Sequence, residues 1–246
     1  MKLGIIGGSG LYTLPGIESQ GQRQVMTAWG APSAPLTLGR LHGLDLVFLP
    51  RHGAHHHLPP HQVNYRANIA ALADAGVKAI VATAAVGGIE YAAGTGTIVI
   101  PDQLVDYTYG REHTYSDGTQ AHPLHVDFTE PYTPSLRAAL LAAADDAGIA
   151  VRRRGVYAAT QGPRLETAAE IDRLERDGCT IVGMTGMPEA GLARELGLDY
   201  ANISLVVNAA AGRATGEITM AEIEAALAEG MGRVRTIIAA LCARLV

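Results

Sequence analysis

Apolar positions along this chain follow two alternating periods. Short runs rich in apolar residues occupy positions 2–6, 36–41, 44–49, 79–85, 97–100, 155–160, 180–184 and 200–207. Each is bounded by Gly, Pro or polar residues, as buried strands are. His42-Gly43 separates the second and third runs and predicts a hairpin. Between the strands, apolar residues recur at helical spacing. Ile69, Leu72 and Ala73 predict a helix over 63–75, stopped by Gly76. Thr133-Pro134 predicts a helix start, Thr as N-cap and Pro at the first helical position, with the helix running to Gly148. A further helix is predicted over 188–196. Thr167 with Glu170, and Thr219 with Glu222, have capping-box spacing. The second box opens a long amphipathic helix whose stripe includes Ile223, Leu227, Met231, Val234 and Ile238.

This alternation predicts an α/β fold with a parallel or mixed central sheet in one domain, residues 1–246. Residues 107–132 break the pattern. They are polar and rich in His, Tyr and Asp, and a loop this long in a compact domain is usually functional.

Composition narrows the classes. Apolar residues make up 48% of the chain and charged ones 17%, which supports a large core and excludes a disordered chain. Aromatic residues are only 5%, so the core must come from Ala, Val, Leu and Ile. The net charge of −5 gives no footprint for a nucleic-acid backbone, and any phosphate must be held by local geometry. No apolar stretch reaches the roughly 18 residues of a membrane span. The N-terminal run is too short for a signal peptide and is broken by glycines. Cys179 and Cys242 show neither disulfide nor metal-knuckle spacing. The expectation is a cytoplasmic globular protein.

Several segments carry candidate chemistry. Gly7-Gly8-Ser9-Gly10 follows the first strand. Such a turn either converges backbone N–H groups and a hydroxyl on an anion or simply reverses the chain. A Walker A loop is excluded because no Lys-Ser/Thr pair follows. Thr13 and Leu11 occupy glycine positions of the dinucleotide and nucleophile-elbow motifs. Arg51 and His52 stand at a strand end, where a guanidinium fork suits phosphate. His55, His56 and His57, with His61, read as loop or substrate-contact residues: contiguous histidines cannot all face one ion, and no carboxylate or Cys stands nearby. No metal site is expected. In 161–167 Gly-Pro fixes a turn, and Glu166 is placed to accept from a sugar or a base. In 183–189 Thr185 offers a hydroxyl and Met184 an apolar surface for a sugar face. Asn208 ends the last strand, as a ligand contact or a strand cap.

Taken in order, the stretches GIIGGSGL, RHGAHHHLPPHQVNYRAN, AAVGGI, QGPRLET, GMTGMPEA and NAAAG resemble the methylthioadenosine/purine nucleoside phosphorylase family over nearly the whole chain. The resemblance implies a mixed central sheet, partly closed into a barrel and surrounded by helices. It implies phosphorolysis, in which a nucleoside and phosphate give a free purine and a pentose 1-phosphate, with no cofactor beyond that co-substrate. It also implies a homotrimer, or a hexamer, with sites completed by neighbouring subunits. Carried over by position, Ser9, Arg51, His52 and Thr185 would hold phosphate. Ala85, Leu165, Met184, Asn208 and Ala210 would contact the nucleoside, Met184 beneath the ribose. His125 of a neighbouring subunit would reach the 5′ end. Relatives often place a phosphate-binding Thr where Ala84 stands and a purine-facing Phe where Leu165 stands.

Base choice turns on Asn208 and Ala210, since methylthioadenosine enzymes carry Asp at both matching positions. Tyr107 departs likewise, in a segment where those relatives usually show Arg. A 6-aminopurine presents an N6 donor that a carboxylate accepts. A 6-oxopurine presents an O6 acceptor that an amide N–H satisfies. Asn208 therefore points to hypoxanthine or guanine as the base, and the thionucleoside branch to 5′-methylthioinosine as substrate. Inosine or guanosine, and methylthioadenosine, are the alternatives. Asn208 would act in catalysis by stabilising the departing purine. Hydrolysis with water in place of phosphate, and a non-catalytic nucleotide-binding module, are the competing classes.

Overall fold

The computed structural model describes residues 1–119, 122 and 124–246. A ten-stranded mixed sheet runs through it, built from β1 (Leu3–Gly7), β2 (Glu18–Arg23), β3 (Leu36–Leu41), β4 (Leu44–Pro50), β5 (Ala79–Gly88), β6 (Ile98–Val99), β7 (Gln103–Asp106), β8 (Val156–Ala159), β9 (Ile181–Gly183) and β10 (Asp199–Ala209). Among the described residues five α-helices cover it: α1 (Tyr65–Asp74), α2 (Pro134–Asp146), α3 (Ala168–Arg176), α4 (Gly186–Glu195) and α5 (Met220–Arg244). Strand alternation divides the core. Ile5 packs with Leu140 of α2 and Val234 and Ile238 of α5, whereas Ile6 packs with Ile69 and Leu72 of α1 and Leu192 of α4. One side-chain step along β1 thus moves from one covered face to the other.

The order is β2-β3-β4-β1-β5-β9-β8-β7, with β10 on the other edge of β5 and β6 on β10. Strands β4, β1, β5 and β10 run parallel. Among the described residues no pairing joins the end strands β2 and β7. The sheet is therefore open and branched at β5, which corrects the partly closed barrel expected from the family resemblance.

Strand β5 also corrects an expected boundary. Gly87 and Gly88 do not stop it; they continue the strand and pair with Val182 and Ile181 of β9. One edge of β5 serves β1 as far as Ala82 and then β9 from Gly87. The stretch between is left without a neighbour on that edge, beside the turn that ends β1. Ligands collect at such crevices beyond the carboxyl ends of parallel strands.

The predicted hairpin forms with His42 and Gly43 both at positive φ, 51° and 85°, as a tight primed turn requires. Both capping boxes form. Thr133 holds the N-cap position of α2 but makes no side-chain cap; its hydroxyl accepts from the Tyr200 amide at 3.1 Å. Two strands lacked a sequence signal. β2 is a wholly exposed polar strand, formed by pairing with β3. β7 is four residues long and only half-buried along most of its length. In the 107–132 excursion the described residues carry no helix or strand.

Candidate functional site

A cleft of about 570 Å³ opens at the carboxyl ends of β1, β4, β5 and β10. Ser9, Arg51, His52, Ala85, Leu165, Met184, Thr185, Asn208 and Ala210 all line it. Chain segments far apart in sequence converge here because each leaves the same end of the sheet.

At one end, Arg51 is 1% exposed and grips Glu189 of α4 through two parallel bonds, Nε to Oε1 at 2.7 Å and Nη2 to Oε2 at 2.8 Å. Its Nη1 donates to the Thr83 carbonyl at 2.9 Å. A bidentate fork fixes the guanidinium plane, and its remaining N–H bonds are free for an anion in the cleft. Burial opposes the Arg51 charge, but the Glu189 carboxylate outweighs it and keeps the cation strongly protonated. Tyr200 donates to Glu189 Oε2 at 2.8 Å, so the carboxylate is held from two sides. A Cβ on Gly8 would lie 2.6 Å from the Thr83 carbonyl and 3.0 Å from Arg51 Nη1, so only glycine lets the turn approach this closely.

His52 completes this end. Its Nδ1 lies 2.8 Å from the Leu58 carbonyl. A carbonyl only accepts, so Nδ1 carries the proton. Burial, with the neighbouring Arg51 charge, pushes the imidazole down to about 4. At neutral pH Nε2 is therefore a lone-pair acceptor, suited to a protonated phosphate oxygen. Thr185, at the start of α4, lines the cleft and makes no side-chain cap. Its amide donates to the buried Tyr157 hydroxyl at 3.3 Å. Ala84 lines the cleft, but the adjacent Thr83 hydroxyl does not replace the missing group. That hydroxyl accepts from the Gly8 amide at 2.9 Å and donates to the Ile6 carbonyl at 3.4 Å, holding the glycine turn.

The other end is less polar. The register of β10 against β5 shifts between Val206 and Asn208. A bulge of this kind re-aims side chains, and both Val207 and Asn208 line the cleft, although neighbours on a regular strand face opposite ways. Asn208 Nδ2 donates to the Ala209 carbonyl at 2.7 Å. That bond orients the amide and leaves one N–H and Oδ1 for a ligand. Glu166 lines the cleft too, its Oε1 accepting from the Thr160 hydroxyl at 2.7 Å. Beyond them the wall is apolar, with Ile218, Met220 and Ile223 at the entry to α5. Leu165 is 43% exposed at the rim.

Of the histidine run, His56 and His57 line the cleft, with the His56 ring 4.5 Å from that of His52. His55 and His61 are exposed outside it. His125 is exposed and absent from the wall formed by its own chain. Sequence reasoning missed Glu189 as the partner of Arg51; its one signal was a carboxylate inside a helix whose neighbours are apolar. It also missed Arg111, which lies in the irregular excursion and is 8% exposed.

Fold and cleft together define a phosphorylase-type α/β protein, and the chain matches the phosphorylase superfamily over residues 2–243. It belongs to that family. It is 57% identical to a probable S-methyl-5′-thioinosine phosphorylase of Pseudomonas syringae pv. tomato, over 96% of each chain. It is 44% identical to a 6-oxopurine nucleoside phosphorylase of Pyrococcus furiosus, covering 90% of this chain and 84% of that one. Its structure superposes on methylthioadenosine phosphorylase from Schistosoma mansoni, bound to adenine, with a TM-score of 0.96. That pair is 33% identical and covers 100% of this chain and 92% of the other.

Proposed function

We propose that this chain catalyses phosphate-dependent cleavage of a 6-oxopurine 5′-methylthionucleoside, converting 5′-methylthioinosine and phosphate to hypoxanthine and 5-methylthioribose 1-phosphate. The observation that carries the reading is that Asn208 and Glu166 both line the cleft. A 6-oxopurine presents an N1–H donor beside an O6 acceptor. The Glu166 carboxylate accepts the first and the Asn208 amide donates to the second. Adenine reverses both edges, so the Glu166 carboxylate would face the N1 lone pair, at about 1–3 kcal/mol for a mispaired buried group. The names of the relatives from P. syringae and P. furiosus agree with this base choice.

Phosphate sits among Ser9, Arg51, His52 and Thr185, and the ribose lies over Met184. The C1′–N9 bond lengthens first, its electron pair passing to the purine. Asn208 and Glu166 stabilise the departing base by preorganised hydrogen bonds. The phosphate dianion stabilises the cationic ribosyl group and then forms the C1′–O bond, and the proton it gives up ends on the purine nitrogen, so the base leaves as neutral hypoxanthine. The apolar wall of Ile218, Met220 and Ile223 favours a methylthio group over a 5′-hydroxyl, which would lose its hydrogen bonds to water there. The reading includes a homotrimer, or a hexamer, with His125 of the partner subunit closing the 5′ end. A cytoplasmic setting agrees with two buried free cysteines.

Base release from 5′-methylthioinosine, 5′-methylthioadenosine, inosine and adenosine, with and without phosphate, tests this. Hypoxanthine is expected fastest from methylthioinosine, and only when phosphate is present. Faster release from methylthioadenosine would overturn the base assignment, and from inosine the 5′ assignment. Phosphate-independent release would overturn phosphorolysis.

A further inference from the structure

Arg111 enters the protein from the irregular excursion and buries its guanidinium behind the cleft, without lining it. Its Nη1 donates to the carbonyls of Met184 at 2.8 Å and Met187 at 2.6 Å, with the Tyr65 hydroxyl at 3.3 Å. Its Nη2 donates to the carbonyls of Gln161 at 2.8 Å and Thr160 at 3.2 Å. Its Nε donates to Gln161 Oε1 at 3.1 Å. Every acceptor is neutral, and among the described residues no carboxylate pairs with the cation. A buried charge with such a partner set acts through the backbone it holds.

The segments held are informative. Met184 and Met187 bracket Thr185, which lines the cleft at the proposed phosphate end. Thr160 and Gln161 open the turn that carries Glu166 to the base end, and Thr160 also bonds Glu166 directly. One rigid fork therefore spans two turns that serve different ligands. The distance from a phosphate oxygen to C1′ depends on how those turns stand relative to each other.

We propose that Arg111 is a positioning residue that registers the phosphate half of the site against the purine half. It touches neither ligand, so each ligand keeps its own binding groups when Arg111 is replaced. What changes is the geometry of the ternary complex. A misplacement of about 1 Å at a reacting centre lowers rate on the order of 100-fold. The inference rests on the proposed phosphorolysis.

Arg111→Lys keeps the charge but replaces a planar fork with a point donor that cannot reach both turns. The expected result is a fall in kcat on 5′-methylthioinosine of roughly 100-fold. Isothermal titration should show Kd values for inorganic phosphate and for hypoxanthine within about threefold of wild type, at unchanged stoichiometry. A preserved kcat overturns the proposal. So do Kd values that weaken in step with kcat, or a loss of binding sites, since either marks Arg111 as a general structural residue. If Arg111→Lys does not fold, Gln161→Leu decides: it removes one acceptor of the fork, and kcat should fall several-fold, about 1 kcal/mol for one lost bond, at unchanged Kd values. An unchanged kcat in that variant overturns the proposal equally. A wild-type enzyme that releases no hypoxanthine would remove the functional reading itself; a normal wild type beside an unaffected variant removes this inference alone.

Discussion

In the proposed function base recognition rests on single residues, and Asn208 is the sharpest case. The bulge in β10 turns it into the cleft, and its bond to the Ala209 carbonyl fixes which amide edge a purine meets. Replacing it by Asp puts a carboxylate opposite O6. Asn208→Asp is expected to lower kcat/KM on 5′-methylthioinosine by roughly 10- to 100-fold, the equivalent of about 1–3 kcal/mol. Activity on 5′-methylthioadenosine should rise relative to it. Full conversion needs Glu166→Gln as well, because the Glu166 carboxylate still opposes the N1 acceptor of adenine. The ratio of kcat/KM for the two nucleosides checks this, and an unchanged ratio would remove Asn208 from base recognition. Asn208 was singled out in the sequence as the end of a buried strand, and the structure places it on the cleft wall. The acceptor role of His52 was not legible in the sequence, because the Leu58 carbonyl that fixes its proton lies on a returning loop.

Elements meet at the site through one buried ion pair. Arg51 leaves the end of β4, and Glu189 sits in α4, 138 residues later. The bidentate contact locks a helix to a strand end and aims the guanidinium at the glycine turn after β1. Breaking such a pair leaves a buried charge without compensation, at about 3–5 kcal/mol. Glu189→Gln is therefore expected to lower the unfolding free energy by an amount of that order, read from the urea midpoint and slope, and to raise KM for phosphate. Chemical denaturation and phosphate saturation curves measure the two effects separately. If stability falls and phosphate saturation is untouched, Arg51 does not depend on Glu189 for its aim. Element boundaries were readable at caps and at some glycines, as at Thr167, Thr219 and Gly76, but not at Gly87-Gly88, through which β5 continues. The polar strand β2 was not readable, since its pairing with β3 leaves no hydrophobic trace in the sequence.

For the whole molecule, the question is how the cleft is closed. The single chain leaves its mouth flanked by exposed apolar groups, Leu165 at 43% and Met220 at 65%, and His125 lies outside its own cleft. Closure by a neighbouring subunit would cover these groups and exclude water from a cationic transition state. Light scattering is expected to give a mass of three or six times the 25.7 kDa chain. His125→Ala should keep that mass while raising KM for 5′-methylthioinosine and leaving KM for phosphate unchanged. A fully active monomer would contradict the shared site.

The sequence by itself determined the α/β class, the order of most elements and the segments that line the cleft. Periodicity and turn residues are local properties, and a chain carries them wherever it folds. Tertiary structure alone decided that the sheet stays open and branches at β5, because strand neighbours are chosen by long-range pairing. It alone paired Arg51 with Glu189, set the His52 tautomer and brought Arg111 behind two separate turns. Each of those depends on a contact between distant residues, and such contacts exist only once the backbone has closed the loops between them.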